Sequence, residues 1–348
     1  MTINADRLKD ELKDCITLKK AALVCGPPGV GKTDITSQVA KELGSDLLIT
    51  HPVVDESIDY KGMPAIIDGA DGKKEGAFLP FGHLKRLIDA ESPLIVLIDD
   101  IGQAQRLVQA AIMQLVLNRA INGVAISEHV SFVMCTNRAG DRAGADAGLL
   151  EPLKSRSVIY QLAVDVPDWV KWALTSKEKG GGGHSPCLAA FMRFKPECLN
   201  NFKPTKDMVN SPSPRCWSTL GDFYNAGMGN MVKYAGCVGD GAAAMWTAFE
   251  KTWTKLPKIE SIIMNPLKAT MPDGQLDVMY ATSGSVAHHA NEDNIDALMQ
   301  YIDRMPNEFA VTTIKDMIAR DEELMCTQAF INQMGSEKMN NVVFGAGK

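Results

Sequence analysis

Residues 26–33 read Gly-Pro-Pro-Gly-Val-Gly-Lys-Thr, and no other run restricts the chain as strongly. It fits G-x-x-x-x-G-K-[ST], a loop that functions only when a strand delivers it and a helix leaves it. Both flanks are present. Residues 21–25 form a short apolar run of buried-strand type, and Ile35, Val39 and Leu43 follow at helical spacing. That order aims backbone N–H groups and a positive helix end at one spot, which favours an anion. Gly26, Gly29 and Gly31 let the backbone wrap closely around phosphates. Lys32 can reach β- and γ-phosphates, and the Thr33 hydroxyl can hold Mg²⁺. A nucleotide is the expected ligand.

Hydrolysis needs acids as well as a cradle. Residues 94–100 supply them as Leu-Ile-Val-Leu-Ile-Asp-Asp. Five consecutive apolar residues suit a strand covered on both faces. Asp99 at its carboxyl end is expected beside the phosphate loop, holding Mg²⁺ with Thr33. Asp100 is expected to polarise the attacking water. A helix follows, its stripe read as Ala104, Leu107, Val108, Ala111, Ile112, Leu115 and Val116. Asn122-Gly123 between β-prone residues signals a hairpin. Residues 131–136 read as another buried strand ending in Asn137, whose amide can orient water against the γ-phosphate.

The order of Gly26–Thr33, Asp99-Asp100, Asn137 and Glu-Pro-Leu-Lys-Ser-Arg at 151–156 resembles the AAA+ ATPases of the MoxR-like branch, in the helix-2-insert clade and of bacterial or phage type. Ser-Pro-Ser-Pro-Arg at 211–215 is similar to that branch's second sensor. Residues 239–249 and 306–309 also look like its members, so the likeness spans nearly the whole chain. It implies an α/β fold: a three-layer P-loop core with a parallel sheet, then an all-helical lid and a C-terminal helical region.

What the resemblance implies for individual residues is specific. Nucleotide contacts fall to Gly26, Pro27, Pro28, Gly29, Val30, Gly31, Lys32, Thr33 and Asp34, with Arg215 reporting from the lid whether ATP or ADP is bound. Lys32, Asp99, Asp100 and Asn137 carry the reaction. Arg156 is the arginine expected to act on a neighbour's nucleotide, with Arg142 the competing candidate and Arg138 near it. One departure stands out, because most AAA+ proteins carry Glu where this chain has Asp100. Some relatives, replication initiators among them, also carry Asp-Asp.

The resemblance further implies Mg-ATP as cofactor, a homo-hexameric ring and a protein partner, with a von Willebrand factor A domain protein as the candidate. The leading expectation is remodelling of that partner. A DNA-directed motor or loader and a nucleotide-gated scaffold are the alternatives. A net charge of −6 gives no global footprint for nucleic acid, which weakens the DNA reading. Lys19-Lys20 and Lys73-Lys74 are expected to be solvated surface.

No apolar run approaches a membrane span, and no targeting segment is evident, so a cytoplasmic location is expected. The eight cysteines include no C-x-x-C pair, as expected of reduced and mostly buried thiols. His184 near Cys187, and His288-His289 near Glu292, are expected to be ordinary residues and not metal ligands.

The α/β core is placed at residues 1–165, opening with a helix whose face is Leu8, Leu12, Cys15 and Ile16. Its last strand is expected at 158–162. Residues 166–348 are expected to form the helical lid and C-terminal extension, with helices at 169–174, 188–194, 218–225, 242–253 and 295–305. Lys179 to His184, which includes Gly180–Gly183, is expected to be a flexible surface loop between lid helices. Residues 64–80 read as strand, tip and strand, and with the Asn122-Gly123 hairpin they are similar to the paired pore-facing hairpins of the helix-2-insert clade. Lys32→Ala is expected to abolish tight ATP binding; calorimetry showing wild-type affinity in that variant would overturn the loop's assignment.

Overall fold

The strand over Leu94–Ile98 is apolar on both sides and therefore needs cover on both. Leu94, Val96 and Ile98 face one apolar layer while Ile95 and Leu97 face the other, and all five are buried. The computed structural model, which describes residues 2–68, 73–141, 148–203, 205, 207–272 and 274–334, places a helical layer on each side.

In chain order the first unit runs β1 (Thr2–Ile3), α1 (Ala5–Thr17), β2 (Ala22–Cys25), α2 (Lys32–Glu42), β3 (Asp46–Thr50) and α3 (Ser57–Lys61). Then come β4 (Met63–Asp68), β5 (Lys74–Leu79), α4 (Gly82–Ile88), β6 (Leu94–Ile98) and α5 (Arg106–Asn118). It closes with β7 (Ala120–Ile121), β8 (Val124–Ala125), β9 (Val130–Thr136), α6 (Glu151–Ser155) and β10 (Val158–Leu162). The main sheet has six strands in the order β1-β10-β2-β9-β6-β3, every pair parallel. This is an α/β fold with a parallel sheet between two helical layers. Helices α1 and α2 cover one face through Leu8, Leu12, Ile16, Ile35 and Val39. Helices α4 and α5 cover the other through Leu84, Leu87, Val108, Ala111, Ile112 and Leu115. Because β2, β9 and β6 are consecutive neighbours, the residues that follow their carboxyl ends share one edge of the sheet.

Three expectations for this unit need correction. Leu107 is 68 % exposed and outside the α5 stripe. The helix starts at Arg106, and its buried face is set by the i, i+3, i+4, i+7 series from Val108, from which Leu107 is turned by about 100°. Ala104 is buried but precedes the helix. Lys19 is not simply solvated, since its ammonium donates to the His129 carbonyl and the Ser131 hydroxyl, each at 3.2 Å.

Both hairpins form. β4 pairs antiparallel with β5, leaving Ile66 and Phe78 exposed. Asn122 and Gly123 turn β7 into β8 with φ of 51° and 81°, the left-handed pair that a two-residue hairpin of this hand requires. Asn122 also donates its amide to the Lys61 carbonyl at 2.8 Å, joining the tip of this hairpin to the end of α3, just before β4 begins.

The chain divides into two compact units, Met1–Val164 with Phe202–Lys206, and Asp165–Asn201 with Asp207–Lys348. The second is helical: α7 (Val166–Leu174), α8 (Pro186–Phe194), α9 (Pro214–Asn225), α10 (Met231–Val238) and α11 (Asp240–Trp253). It continues with α12 (Ile259–Met264), α13 (Leu276–His289), α14 (Ile295–Ile302), α15 (Asn307–Arg320) and α16 (Gln328–Met334). Phe191 is the hinge of its aromatic core, with ring centroids 5.4 Å from Trp217 and 5.5 Å from both Trp246 and Phe249. Arg193 on α8 pairs with the buried carboxylate of Asp316 on α15. Burial raises that carboxyl above the usual range and Arg193 opposes the shift. No described helix is long and apolar enough to cross a membrane.

The glycines at 180–183 do not form a flexible loop. Gly181, Gly182 and Gly183 donate their N–H groups to Ser176, Trp172 and Thr175, wrapping the end of α7. A Cβ on Gly181 would meet the Thr175 carbonyl oxygen at 2.2 Å, so glycine is required by close backbone approach. The wrap seats His184 in the core, stacked on Trp169 and 2.9 Å from the Ser218 hydroxyl through Nε2. Its Nδ1 is buried with no hydrogen-bond partner, and a Cβ on Gly221 would lie 2.6 Å from it.

Burial lowers the His184 pKa from the ordinary 6.5. A histidine depressed in the folded state contributes stability above the unfolded value and loses it as the pH falls below that value. All five tryptophans lie in the second unit, so their fluorescence reports on it alone. The unfolding midpoint read this way is expected to drop between about pH 7 and about pH 5, and to drop less in His184→Gln. Parallel acid slopes for the two proteins would refute the assignment.

Candidate active site

Gly29 and Gly31 have φ of 73° and 93°, the left-handed region where a side chain is strained, and they turn the loop over the end of β2. Gly26 meets a different constraint. A Cβ there would lie 3.2 Å from the Leu162 carbonyl oxygen, so the loop's first residue passes hard against β10. Helix α2 then begins at Lys32 with Gly31 as its N-cap and no side-chain cap bond. The N–H groups of its first turn have no intrahelical acceptors and lie next to the loop. Pro27, Pro28 and Val30 complete the loop, and Asp34 stands in the first turn of α2.

Lys32 is 7 % exposed, and a charge so deep needs acceptors. Its Nζ donates to the Gly26 and Pro27 carbonyls, each at 3.0 Å, and to Asn137 Oδ1 at 2.8 Å. The other end of the same amide, Asn137 Nδ2, donates to Asp100 Oδ1 at 3.3 Å. Beside this chain the Thr33 hydroxyl donates to Asp99 Oδ2 at 2.9 Å, while Asp99 Oδ1 accepts the Asp100 N–H at 3.0 Å. Five residues from three strand ends are therefore one connected polar group. Cys135 lies beneath it, fully buried; burial first, and the Asp99 charge second, push its thiol up so that it stays protonated.

β6 ends at Ile98, so both acids stand in the turn after it. Asp100 adopts φ 53° and ψ 34°, a left-handed conformation that Asp and Asn tolerate better than other side chains because they bond locally. Its carbonyl accepts the Gln103 N–H and closes the next turn. That conformation and the Asn137 bridge were not visible from motif spacing. The signal available was the residue type, since a short acid directly after a strand is suited to a left-handed turn.

The donor set fits Mg-ATP. A threonine hydroxyl and a carboxylate facing each other are hard oxygen ligands of the kind Mg²⁺ takes with phosphate oxygens. The glycine loop, the uncapped helix start and the lysine are the parts that cradle phosphates.

Arg138 is paired with Asp141, Nε to Oδ2 at 2.6 Å, which accounts for it locally. Arg156 follows α6 as its C-cap and is exposed. Arg142 falls outside the described residues. Arg215 belongs to the second unit, exposed in the first turn of α9.

Residues 22–147 match the family described as ATPase family associated with various cellular activities (AAA). ATP hydrolysis is the general kind of reaction that family implies. No curated protein matches the sequence. Among solved structures, a RuvB mutant from Thermotoga maritima is 15 % identical with a TM-score of 0.37, covering 99 % of this chain and 88 % of its own. The Thermotoga maritima RuvB described as a Holliday junction branch migration motor is 14 % identical at 0.34, over 99 % and 87 %. A putative ATPase from Cytophaga hutchinsonii is 13 % identical at 0.33, over 98 % and 88 %.

The two acids separate by their contacts. Asp99→Asn is expected to weaken Mg²⁺ dependence of nucleotide binding about tenfold, because its carboxylate faces Thr33. Asp100→Asn is expected to keep ATP bound and lower turnover by about 10²-fold or more. Titration of Mg²⁺ against a fluorescent ATP analogue and a phosphate-release assay check the two; equal turnover in wild type and Asp100→Asn would refute the second.

Proposed function

We propose that this chain is an Mg-ATP-dependent, ring-forming ATPase that remodels a partner protein. The observation that supports hydrolysis most directly is the linked group of Lys32, Asn137 and Asp100 beside Thr33 and Asp99. It gathers a phosphate-directed cation, a water-directed acid and a metal-directed hydroxyl and carboxylate at neighbouring strand ends. Bound Mg²⁺ supplies charge neutralisation on the phosphates. Thr33 and Asp99 would hold it. Lys32 would bind the β- and γ-phosphates, Asp100 would take the proton of the attacking water, and Asn137 would orient that water.

The arginines support the reading as a ring. Lys32 is the only lysine in the linked group, and a neighbour's guanidinium adds about 10³–10⁵ in rate in other phosphoryl-transfer enzymes. Arg156 suits that role because it is exposed at the end of a short helix, whereas Arg138 is engaged by Asp141. The expected assembly is a homo-hexamer of the MoxR-like type, with Arg215 of the helical unit contacting nucleotide within its own subunit. The two hairpins would grip the partner, for which a von Willebrand factor A domain protein is the candidate.

Mixing Arg156→Ala subunits with Lys32→Ala subunits tests the ring. Each variant alone is expected to be nearly inactive, while mixed assemblies retain boundaries that pair an intact loop with an intact arginine and so recover phosphate release. A monomer by light scattering that hydrolyses ATP at a concentration-independent specific rate would sink this reading. The same assay separates remodelling from a non-hydrolysing scaffold, and stimulation by a co-expressed protein but not by DNA separates it from a DNA motor.

A further inference from the structure

The ammonium that is meant for phosphate is already spoken for. Lys32 Nζ is satisfied by two loop carbonyls and by Asn137 Oδ1, and the Asn137 contact is the shortest of the three. The amide cannot rotate away without also giving up Asp100, because Nδ2 is donated there. Asn137 follows β9, whose seven residues are all buried, so its backbone is held by a strand enclosed along its whole length. An amide fixed in this way, with its oxygen on the lysine and its nitrogen on the acid, competes with phosphate for the one and with water for the other.

We propose that Asn137 is a latch: it holds Lys32 and Asp100 together, and a nucleotide must break the Lys32–Asn137 bond in order to bind. This rests on the nucleotide reading above and adds a regulation to it. The amide that orients water during turnover lowers affinity for nucleotide at rest. Asp100 is held by the same amide, so a turn of Asn137 that frees Lys32 for phosphate also loosens its hold on the Asp100 carboxylate. Nucleotide entry and activation of the acid are thereby coupled through one side chain.

ADP is the discriminating probe, because it lacks the γ-phosphate that Asn137 would contact in the ATP complex. Removing the latch frees the lysine for the β-phosphate without removing any contact to ADP. Asn137→Ala is therefore expected to bind ADP about fivefold more tightly than wild type, the equivalent of one modest hydrogen bond, while its phosphate release falls. A residue that merely supported the fold would lose affinity and turnover together. Asn137→Leu, which fills the same space without an acceptor, is expected to behave like Asn137→Ala and serves if the alanine variant does not fold. Calorimetry with ADP decides the matter. Wild-type binding with unchanged or weaker affinity in both variants overturns the latch and leaves the nucleotide reading standing. Failure of the wild type itself to bind ADP overturns both.

Discussion

A buried ammonium organises the first unit. Lys32 carries a full charge at 7 % exposure, a position that is costly unless every N–H finds an oxygen. Two of those oxygens come from its own loop, and the third comes from a different strand. The strand order serves this need. With β9 lying directly between β2 and β6, Asn137 reaches the lysine on one side and Asp100 on the other. The alternating faces of β6 and the all-buried β9 lock those strand ends in place through two separate apolar layers. Packing deep in the core thus sets distances at the rim of the sheet.

Much of this unit was legible because its strands carry their signals locally. The run at 94–98 is too apolar for a half-exposed strand, and the loop at 26–33 has a spacing that chance rarely provides. The helix face at Leu8, Leu12, Cys15 and Ile16 is buried as its spacing requires. The placement of Lys32, Thr33, Asp99, Asp100 and Asn137 side by side was also legible, since each stands at a predicted strand or helix end. The bonds among them were not. The place of the Asn137 strand between the other two was read from the motif order, but which end of its amide faces the lysine depends on a side-chain rotation that a linear sequence does not report. Leu107 failed for a simpler reason: a helix stripe is read from its starting phase, and the preceding turn shifted that phase.

The second unit was harder to read because its central helix hides its own pattern. α13 buries Ala281, Thr282, Ser283, Gly284, Val286 and Ala287, small residues that touch neighbours on several sides. A helix enclosed all round shows little amphipathic periodicity, so none was expected there. Gly284 allows the closest approach, with a would-be Cβ 3.0 Å from Ala190 and 3.2 Å from the Pro186 carbonyl oxygen on α8. The glycine wrap at 180–183 misled in the opposite direction. Glycine runs suggest freedom, yet here the absent side chains make room for carbonyls and for a buried imidazole.

The left-handed backbone at Asp100 has a consequence for how such a site can change over generations. A glutamate at this position gains a methylene of reach, but Glu occupies left-handed backbone less readily than Asp. Local geometry and side-chain length are therefore inherited as a pair. A single-residue exchange to glutamate would trade reach for strain, and recovering both would take a second alteration that relaxes the turn at residues 99–103. The shorter acid is in that sense anchored by its own peptide unit, and a lineage that starts from this turn has a reason to keep it.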